Sequence, residues 1–212
     1  MEKKLRVLVA CEYSGVVRDS FIRYGHDAMS CDLLPTDAPG PHYEGDVRDV
    51  LNDGWDLMIA HPECTYLTNS GVRWLSEKDK NGNLTDRAIR RWDLLNKGAE
   101  FFRRMLEAPI PSIAVENPIM HRYAVERVGR KQDQIIQPWM FGHTQTKATG
   151  LWLKNLPLLK PTNNVREEMM KLPVAERSMI HYAPPGPDRW KFRSTTFTGI
   201  GDAMAQQWGG KV

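Results

Sequence analysis

Apolar residues fall into two patterns along this chain: short unbroken runs, and longer stretches in which they recur every three or four positions. The runs read as buried strands and the stretches as amphipathic helices, and their alternation predicts an α/β fold, a Rossmann-like sheet with helices on both faces. Residues 5–10 predict a strand, Cys11-Glu12-Tyr13-Ser14-Gly15 a turn, and residues 16–24 a helix carrying Val17, Phe21 and Tyr24 on one side, with Gly25 as its stop. A second strand over residues 27–31 ends at Asp32, and residues 35–45, rich in Pro and Gly, predict a loop. Residues 55–64 form an apolar run broken by Pro62 and finished by Cys64, which predicts a buried strand delivering the thiol at its C-terminal end. Residues 76–83 have no apolar period and predict a mobile surface loop, either a lid over Cys64 or a plain solvated connection. Residues 84–107 predict one long helix with an apolar stripe of Ile89, Trp92, Leu95, Ala99, Phe102 and Leu106. A further buried strand over residues 111–115 leads into Glu116-Asn117-Pro118, where the backbone is expected to leave the sheet.

Composition narrows the setting. A chain of 212 residues suits one domain with a sizeable core, and 41% hydrophobic with 26% charged residues is ordinary for a soluble protein. No run approaches the ~18 apolar residues of a membrane span. The first strand begins at residue 5, which leaves no room for a secretory leader and predicts a cytoplasmic protein with no membrane partner. Cys11, Cys31 and Cys64 are odd in number and far apart, which fits a reducing compartment rather than a disulfide framework. The six histidines are scattered without an i, i+4 pair, so no metal site is expected. A net charge of +3 permits contact with a polyanion through a local patch without requiring it.

Candidate chemistry gathers at strand ends, where open α/β sheets bind ligands. Cys64 reads as a nucleophile or as a small buried hydrophobe. Asp32 stands where nucleotide-binding α/β folds hold ribose hydroxyls, although Asp also caps turns. If the strands before Cys64 and Glu116 are neighbours, a thiol and a carboxylate share one cleft, an arrangement for nucleophilic attack coupled to proton transfer. His61 lies close to Cys64 in sequence, but that spacing at a strand end is poor for activating the thiol.

With these residues in place, the chain resembles the cytosine-5 methyltransferases that use S-adenosylmethionine, in a small form common in phage and prophage sequences. The correspondence runs over most of the chain in the family's order. Cys11 to Gly15 resembles the glycine-rich cofactor turn, Asp32 the acidic end of the second strand, and Asp46 the residue beside the adenine. Pro62-Glu63-Cys64 resembles the Pro-Pro-Cys nucleophile motif, with His61 and Pro62 bordering the cofactor, and Glu116-Asn117-Pro118 is similar to Glu-Asn-Val. Gln145-Thr146-Lys147-Ala148-Thr149 is similar to Gln-x-Arg-x-Arg, and residues 199–205 resemble the last helix, which closes the cofactor pocket.

The resemblance implies DNA as substrate and S-adenosylmethionine as cofactor, in a bacterial or phage-infected cell. It makes Cys64 the thiolate that adds to cytosine carbon 6, Glu116 the proton partner at ring N3 with a pKa raised by burial, and Lys147 the accompanying cation. Asn117, Pro118, Gln145, Thr149 and Arg73 are then substrate contacts. Lys78, Lys80, Arg87, Arg90 and Arg91 join Arg73 as candidates for phosphates of a flipped base's strand.

Departures from the pattern are chemically specific. Glu12 and Ser14 stand where glycines are usual, Glu63 replaces a proline and tends to raise the neighbouring thiol's pKa, and Thr149 replaces an arginine. Residues 151–198, including the flexible stretch 183–188, are too few for a full target-recognition domain. Either little sequence is read, or a partner protein reads it, or the substrate is not duplex DNA. Trp190-Lys191-Phe192-Arg193 interleaves aromatic and basic residues as single-strand binders do, but core packing of Trp190 and Phe192 is the expectation. Two other functions remain open: the same fold acting on free pyrimidine nucleotides or transferring another group, and a non-catalytic nucleic-acid or regulatory binding protein.

Overall fold

In the computed structural model, which describes residues 3–187 and 189–210, the apolar runs are the strands of one sheet. The elements follow as β1 (Arg6–Ala10), α1 (Val16–Arg23), β2 (Asp27–Asp32), β3 (His42–Glu44), β4 (Leu57–Ala60), α2 (Asp86–Leu106), β5 (Ser112–Pro118), α3 (Arg122–Val128), β6 (Gln134–Ile136) and β7 (Thr149–Lys154). Among the described residues α4 (Arg166–Lys171), α5 (Val174–Arg177), α6 (Met179–Tyr182), α7 (Arg189–Ser194) and α8 (Thr198–Met204) follow, and α8 runs into a π-helical turn over Ala205–Gly209. The sheet order is β3-β2-β1-β4-β5-β7-β6, with β1 to β5 parallel and β7 antiparallel to both neighbours. Strand order reverses between β1 and β4, so their carboxyl ends border the crevice that such a sheet opens to a ligand.

Alternation along the strands divides the core into two layers. Val7, Val9, Leu57, Ile59, Ala114 and Leu151 pack with Val17 and Phe21 of α1 and Ile200, Ala203 and Met204 of α8. Leu8, Ala10, Met58, Ala60, Val115 and Trp152 pack on the other face with Leu95, Ala99, Phe102 and Met105 of α2 and Ala124 of α3. Helices thus cover both faces, as the alternation of strand and helix patterns predicts. No described helix is long and apolar enough to cross a membrane.

Several boundaries differ from expectation, each for a local reason. Thr85 caps α2 by accepting from the Ala88 amide, so the helix starts after Leu84, and Ala88 and Met105 take the inward positions while Ile89 is 55% exposed. Residues 76–83 are a pinned turn rather than a free loop. Asp79 accepts from the amides of Asn81 and Asn83, Lys78 bridges to Leu84, and Glu77 pairs with Arg87 and Thr85. The loop over residues 35–45 contains the short edge strand β3, and residues 151–154, expected to open the interval that replaces a recognition domain, belong to β7. Trp190 and Phe192 are each 47% exposed and are not core. Met1, Glu2 and Asp188 lie outside the described residues, and with Asp188 the end of the stretch expected to be flexible.

One buried cation organises the first βα turn. Arg18 is fully buried, donating to Asp19, to the hydroxyls of Ser30 and Thr36, and to the carbonyls of Ala38 and Pro39. Gly15 admits it: its φ is +74°, and a Cβ there would lie 2.4 Å from the Arg18 guanidinium. Gly199 plays a similar part at the start of α8, where a Cβ would lie 2.0 Å from the Phe141 carbonyl oxygen.

Candidate active site

Sheet register assembles the centre of the site. Ala60 of β4 stands opposite Val115 of β5, so the next residues on the two parallel strands, His61 and Glu116, lie side by side at the carboxyl edge. His61 Nδ1 is 3.5 Å from Glu116 Oε2, with the two side chains 14% and 10% exposed. That separation is an ion-pair contact, too long for a well-formed hydrogen bond. His61, expected to border the cofactor, therefore turns to the carboxylate.

The strand expected to reach Cys64 stops at Ala60. Pro62 has no amide hydrogen for the ladder, and the chain instead turns at Cys64, whose carbonyl accepts from the amides of Leu67 and Thr68 at 3.0 and 3.2 Å. Glu116, conversely, does not sit beyond its strand: β5 continues through Pro118, and Glu116 pairs with Leu151 of β7. Lys147 joins the pair from the loop before β7, donating from Nζ to the Thr195 carbonyl at 3.1 Å.

The charges of this cluster act on one another. Burial pushes the Cys64 thiol above its ordinary pKa, and Glu63 adds to the rise while Lys147 and Arg193 oppose it. Burial pushes the Lys147 ammonium down against the pull of Glu116 and Cys64. Burial would raise the Glu116 carboxyl, but His61 and Lys147 outweigh it and hold it below the usual carboxylate range. The direction is thus opposite to the expected rise, because His61, which sequence reasoning set aside, and Lys147 both favour the ionised carboxylate. Burial alone would lower His61, yet Glu116 and then Glu12 hold it above an ordinary imidazole.

The cofactor-side residues line the ends of β1, β2 and β3. Cys11 adopts a left-handed φ of 57°, and its thiol is pushed far up by burial and by Asp32. The Glu12 carboxylate does not face an open cleft: it accepts from the amides of Val17 and Arg18 and from Ser14, capping α1. Tyr13 is buried, its ring 5.3 Å from that of Trp190 and its hydroxyl 3.1 Å from Ser194 Oγ. Asp32 accepts from the Leu34 amide, and burial raises its carboxyl. Asp46 pairs with Arg48 on the surface, which lowers it to about 2.

The substrate-side residues divide. Asn117 is buried in β5 with Nδ2 donating to the Pro118 carbonyl, and Gln145 Nε2 donates to the Glu176 carbonyl at 2.8 Å. Thr149 is buried in β7 with its hydroxyl donating to the Lys147 carbonyl. Arg73 stacks over the Trp74 ring at 4.4 Å, and Arg87 lies over the same ring while pairing with Glu77. Arg193, which acts electrostatically on both Cys64 and Lys147, was missed as a site residue. Its only sequence signal was its place in an aromatic and basic tetrad.

Among the described residues, the buried side-chain polar atoms with no partner are His61 Nε2, Glu116 Oε2, Asn117 Oδ1 and Gln145 Oε1. All belong to residues singled out above. Leaving such groups unpaired costs about 1–3 kcal/mol each, and the His61 and Glu116 atoms, side by side at the carboxyl edge, mark a seat for a polar ligand.

No protein-family model matches the chain, and no curated protein matches it. Among solved structures, it is similar to one described as a DNA modification methyltransferase encoded within a prophage (E. coli), at 16% identity and TM-score 0.42 over 75% of this chain and 51% of that one. It is similar to the Entamoeba histolytica methyltransferase EhMeth at 14% identity and TM-score 0.46, over 74% and 54% of the two chains. The S. pombe Dnmt2 methyltransferase matches at 14% identity and TM-score 0.41, over 88% and 61%. The chain therefore spans roughly half to three-fifths of the length of these proteins.

Proposed function

We propose that the chain belongs with the cytosine-5 methyltransferases and moves a methyl group from S-adenosylmethionine to carbon 5 of cytosine in DNA, with Cys64 as nucleophile and Glu116 at ring N3. The observation that carries this is Lys147 acting on both the Cys64 thiol and Glu116, whose buried Oε2 and the neighbouring His61 Nε2 have no hydrogen-bond partner. A pyrimidine ring presents donors and acceptors along one edge, and such a set suits it.

The first βα turn fits the cofactor by its charge. In dinucleotide-binding sheets a pyrophosphate rests on the amides at the N-terminus of the first helix. Here the Glu12 carboxylate already holds those amides, which disfavours a phosphate and leaves an acidic neighbourhood with Asp32 and Asp46. A phosphate-free nucleoside bearing a sulfonium cation suits those surroundings. Asp32 would hold its ribose hydroxyls, the turn 11–15 and Asp46 its remaining polar atoms. When bound, it supplies an electrophilic methyl.

Carbon 5 of cytosine is a poor nucleophile, and the chain's own groups correct that. Cys64 loses its proton to solvent and the thiolate adds to carbon 6, helped by the Lys147 and Arg193 charges, which turns carbon 5 into an enamine carbon. Glu116 offsets the charge that accumulates at N3. After methyl transfer the carbon 5 proton leaves, and the thiolate is expelled.

The test is transfer of labelled methyl to duplex DNA, single-stranded DNA and free cytidine nucleotides, by the natural protein and by Cys64→Ala. The expected result is label at carbon 5 of cytosine in DNA, and none with Cys64→Ala. Label on free nucleotides alone would move the substrate, and no transfer with cofactor binding intact would overturn the reading in favour of a binding protein.

A further inference from the structure

Glu116 faces a difficulty that its neighbours create and one of them resolves. A group that protonates N3 must carry a proton, yet Glu116 lies beside the cation Lys147 and 3.5 Å from His61, surroundings that keep it ionised. His61 follows β4 directly, its amide donating to the Ala10 carbonyl at 2.9 Å, and its second nitrogen, Nε2, is buried without a hydrogen-bond partner. A buried imidazole that serves only packing would have both nitrogens engaged, as His121 does through the Ala124 amide and the Tyr66 carbonyl.

We propose that His61 is a positioning and proton-supplying residue that acts through Glu116: the two share a single proton, which passes from His61 through Glu116 to N3. This rests on the methyltransferase reading and extends it. As the Cys64 sulfur bonds to carbon 6, the electron pair of the carbon 5–carbon 6 double bond is drawn into the ring, and N3 takes the proton from Glu116. That proton comes from His61 by way of Glu116, leaving a neutral imidazole beside an ionised carboxylate. On expulsion of the thiolate the N3 proton returns by the same route, and the carbon 5 proton is the one released to solvent. The pair therefore ends each turnover as it began.

The groups that face His61 from every side bear on the proton. Glu116 of β5 and Glu12 after β1 favour the imidazolium, while Lys147 before β7 opposes it. Asp32 at the end of β2 feels the His61 charge, and Cys64 and Arg193 bear on Lys147. The net direction is upward for His61, so the pair keeps its shared proton past the ordinary imidazole pKa near 6.5.

Two measurements test this separately. The first is NMR titration of the ¹³C- or ¹⁵N-labelled His61 ring in the natural protein and in Glu116→Gln, which needs no activity. The expected result is a His61 pKa that falls in the variant, and an unmoved pKa overturns the pairing even if methyl transfer proceeds. The second is the pH profile of kcat/KM for His61→Gln and His61→Asn. Loss of about 10² in rate near pH 7.5, with the alkaline limb moved to lower pH by about one unit or more, is expected for a lost proton source. A uniform loss with an unmoved limb in both variants would reduce His61 to a structural role. Absence of methyl transfer in the natural protein would instead sink the underlying reading, and the titration would still judge the pair.

Discussion

The two halves of the sheet's carboxyl edge are built on opposite principles. Around β1 and β2 every charged group is engaged: Glu12 caps α1, Arg18 reaches two hydroxyls and two carbonyls, and Asp32 holds the Leu34 amide. Around β4, β5 and β7 the polar groups converge but stay open, and the unpartnered atoms of His61, Glu116, Asn117 and Gln145 lie there. The first half is a finished scaffold that a cofactor can meet without rearrangement. The second is left incomplete, as a site must be if its missing partners come from the substrate.

The contrast breaks most sharply under substitution of the reacting groups. Cys64→Ala is expected to abolish methyl transfer, and Glu116→Gln to lower kcat by about 10²–10⁴ as a positioned acid is lost. Both variants should stay folded, because neither side chain is a structural donor or acceptor of the kind that Arg18 is. Single-turnover rates alongside thermal melts would check this. Unfolding of Cys64→Ala would mean that the open half is scaffold after all.

Next in size is the opposite experiment on the closed half. Arg18→Met removes a buried cation and strands the Asp19 carboxylate, two hydroxyls and two carbonyls that it serves. Breaking a buried, multiply bonded charge costs about 3–5 kcal/mol, so chemical denaturation should show a loss of that order, with the turn 35–41 exchanging its amides first. A loss under about 1 kcal/mol would show that solvent already satisfies those groups. Smaller again is Glu12→Gln, which keeps the shape of the α1 cap but drops its charge. It should cost about 1 kcal/mol of stability while opening the helix N-terminus to phosphate-bearing ligands, read by the affinity for an adenine dinucleotide. No gain in such affinity would remove the argument that Glu12 selects a phosphate-free cofactor.

The same contrast explains what the sequence disclosed. Apolar runs named β1, β2, β4 and β5, because continuous burial on both faces leaves a signal in the run itself. β3 and β6, three residues each, carry no such signal: an edge strand is held by neighbours the sequence does not reveal. Cys64 and Glu116 stood out because a proline lies close to each apolar run, although the chain turns at Cys64 and β5 runs on through Pro118. The His61 to Glu116 contact was not legible, since it depends on the register of β4 against β5, which is set by core packing far from either residue. Arg18 was invisible for the converse reason. It lies on a helix with the spacing of an exposed position, and only the Gly15 turn and the loop above make room for it. The burial of Thr149 and Tyr13 was not legible either, because a motif position tells which residue is present and not which way its strand or turn aims it.

The smallest effect expected separates the halves by pH. His121 and His143 are scaffold histidines: His121 accepts from the Ala124 amide, and His143 Nε2 accepts from the Gly199 amide at the start of α8. Burial lowers both below an ordinary imidazole. A depressed histidine pKa means that the folded state prefers the neutral ring, so its contribution is complete above about pH 6.5, the unfolded value, and is lost as pH falls through the folded one. His61 runs the other way. Its pKa is raised, so what it contributes is complete below pH 6.5 and fades as pH rises through the folded value. Mild acid should therefore loosen the α8 and α3 attachments while the His61 to Glu116 contact tightens, and hydrogen exchange at pH 5.5 and 8 resolves the two. Faster exchange at the Ala124 and Gly199 amides at pH 5.5, after correction for the intrinsic rate, with His61 still protonated, is the expected result. Uniform acceleration that includes the ends of β4 and β5 would erase the distinction between a closed scaffold and an open site.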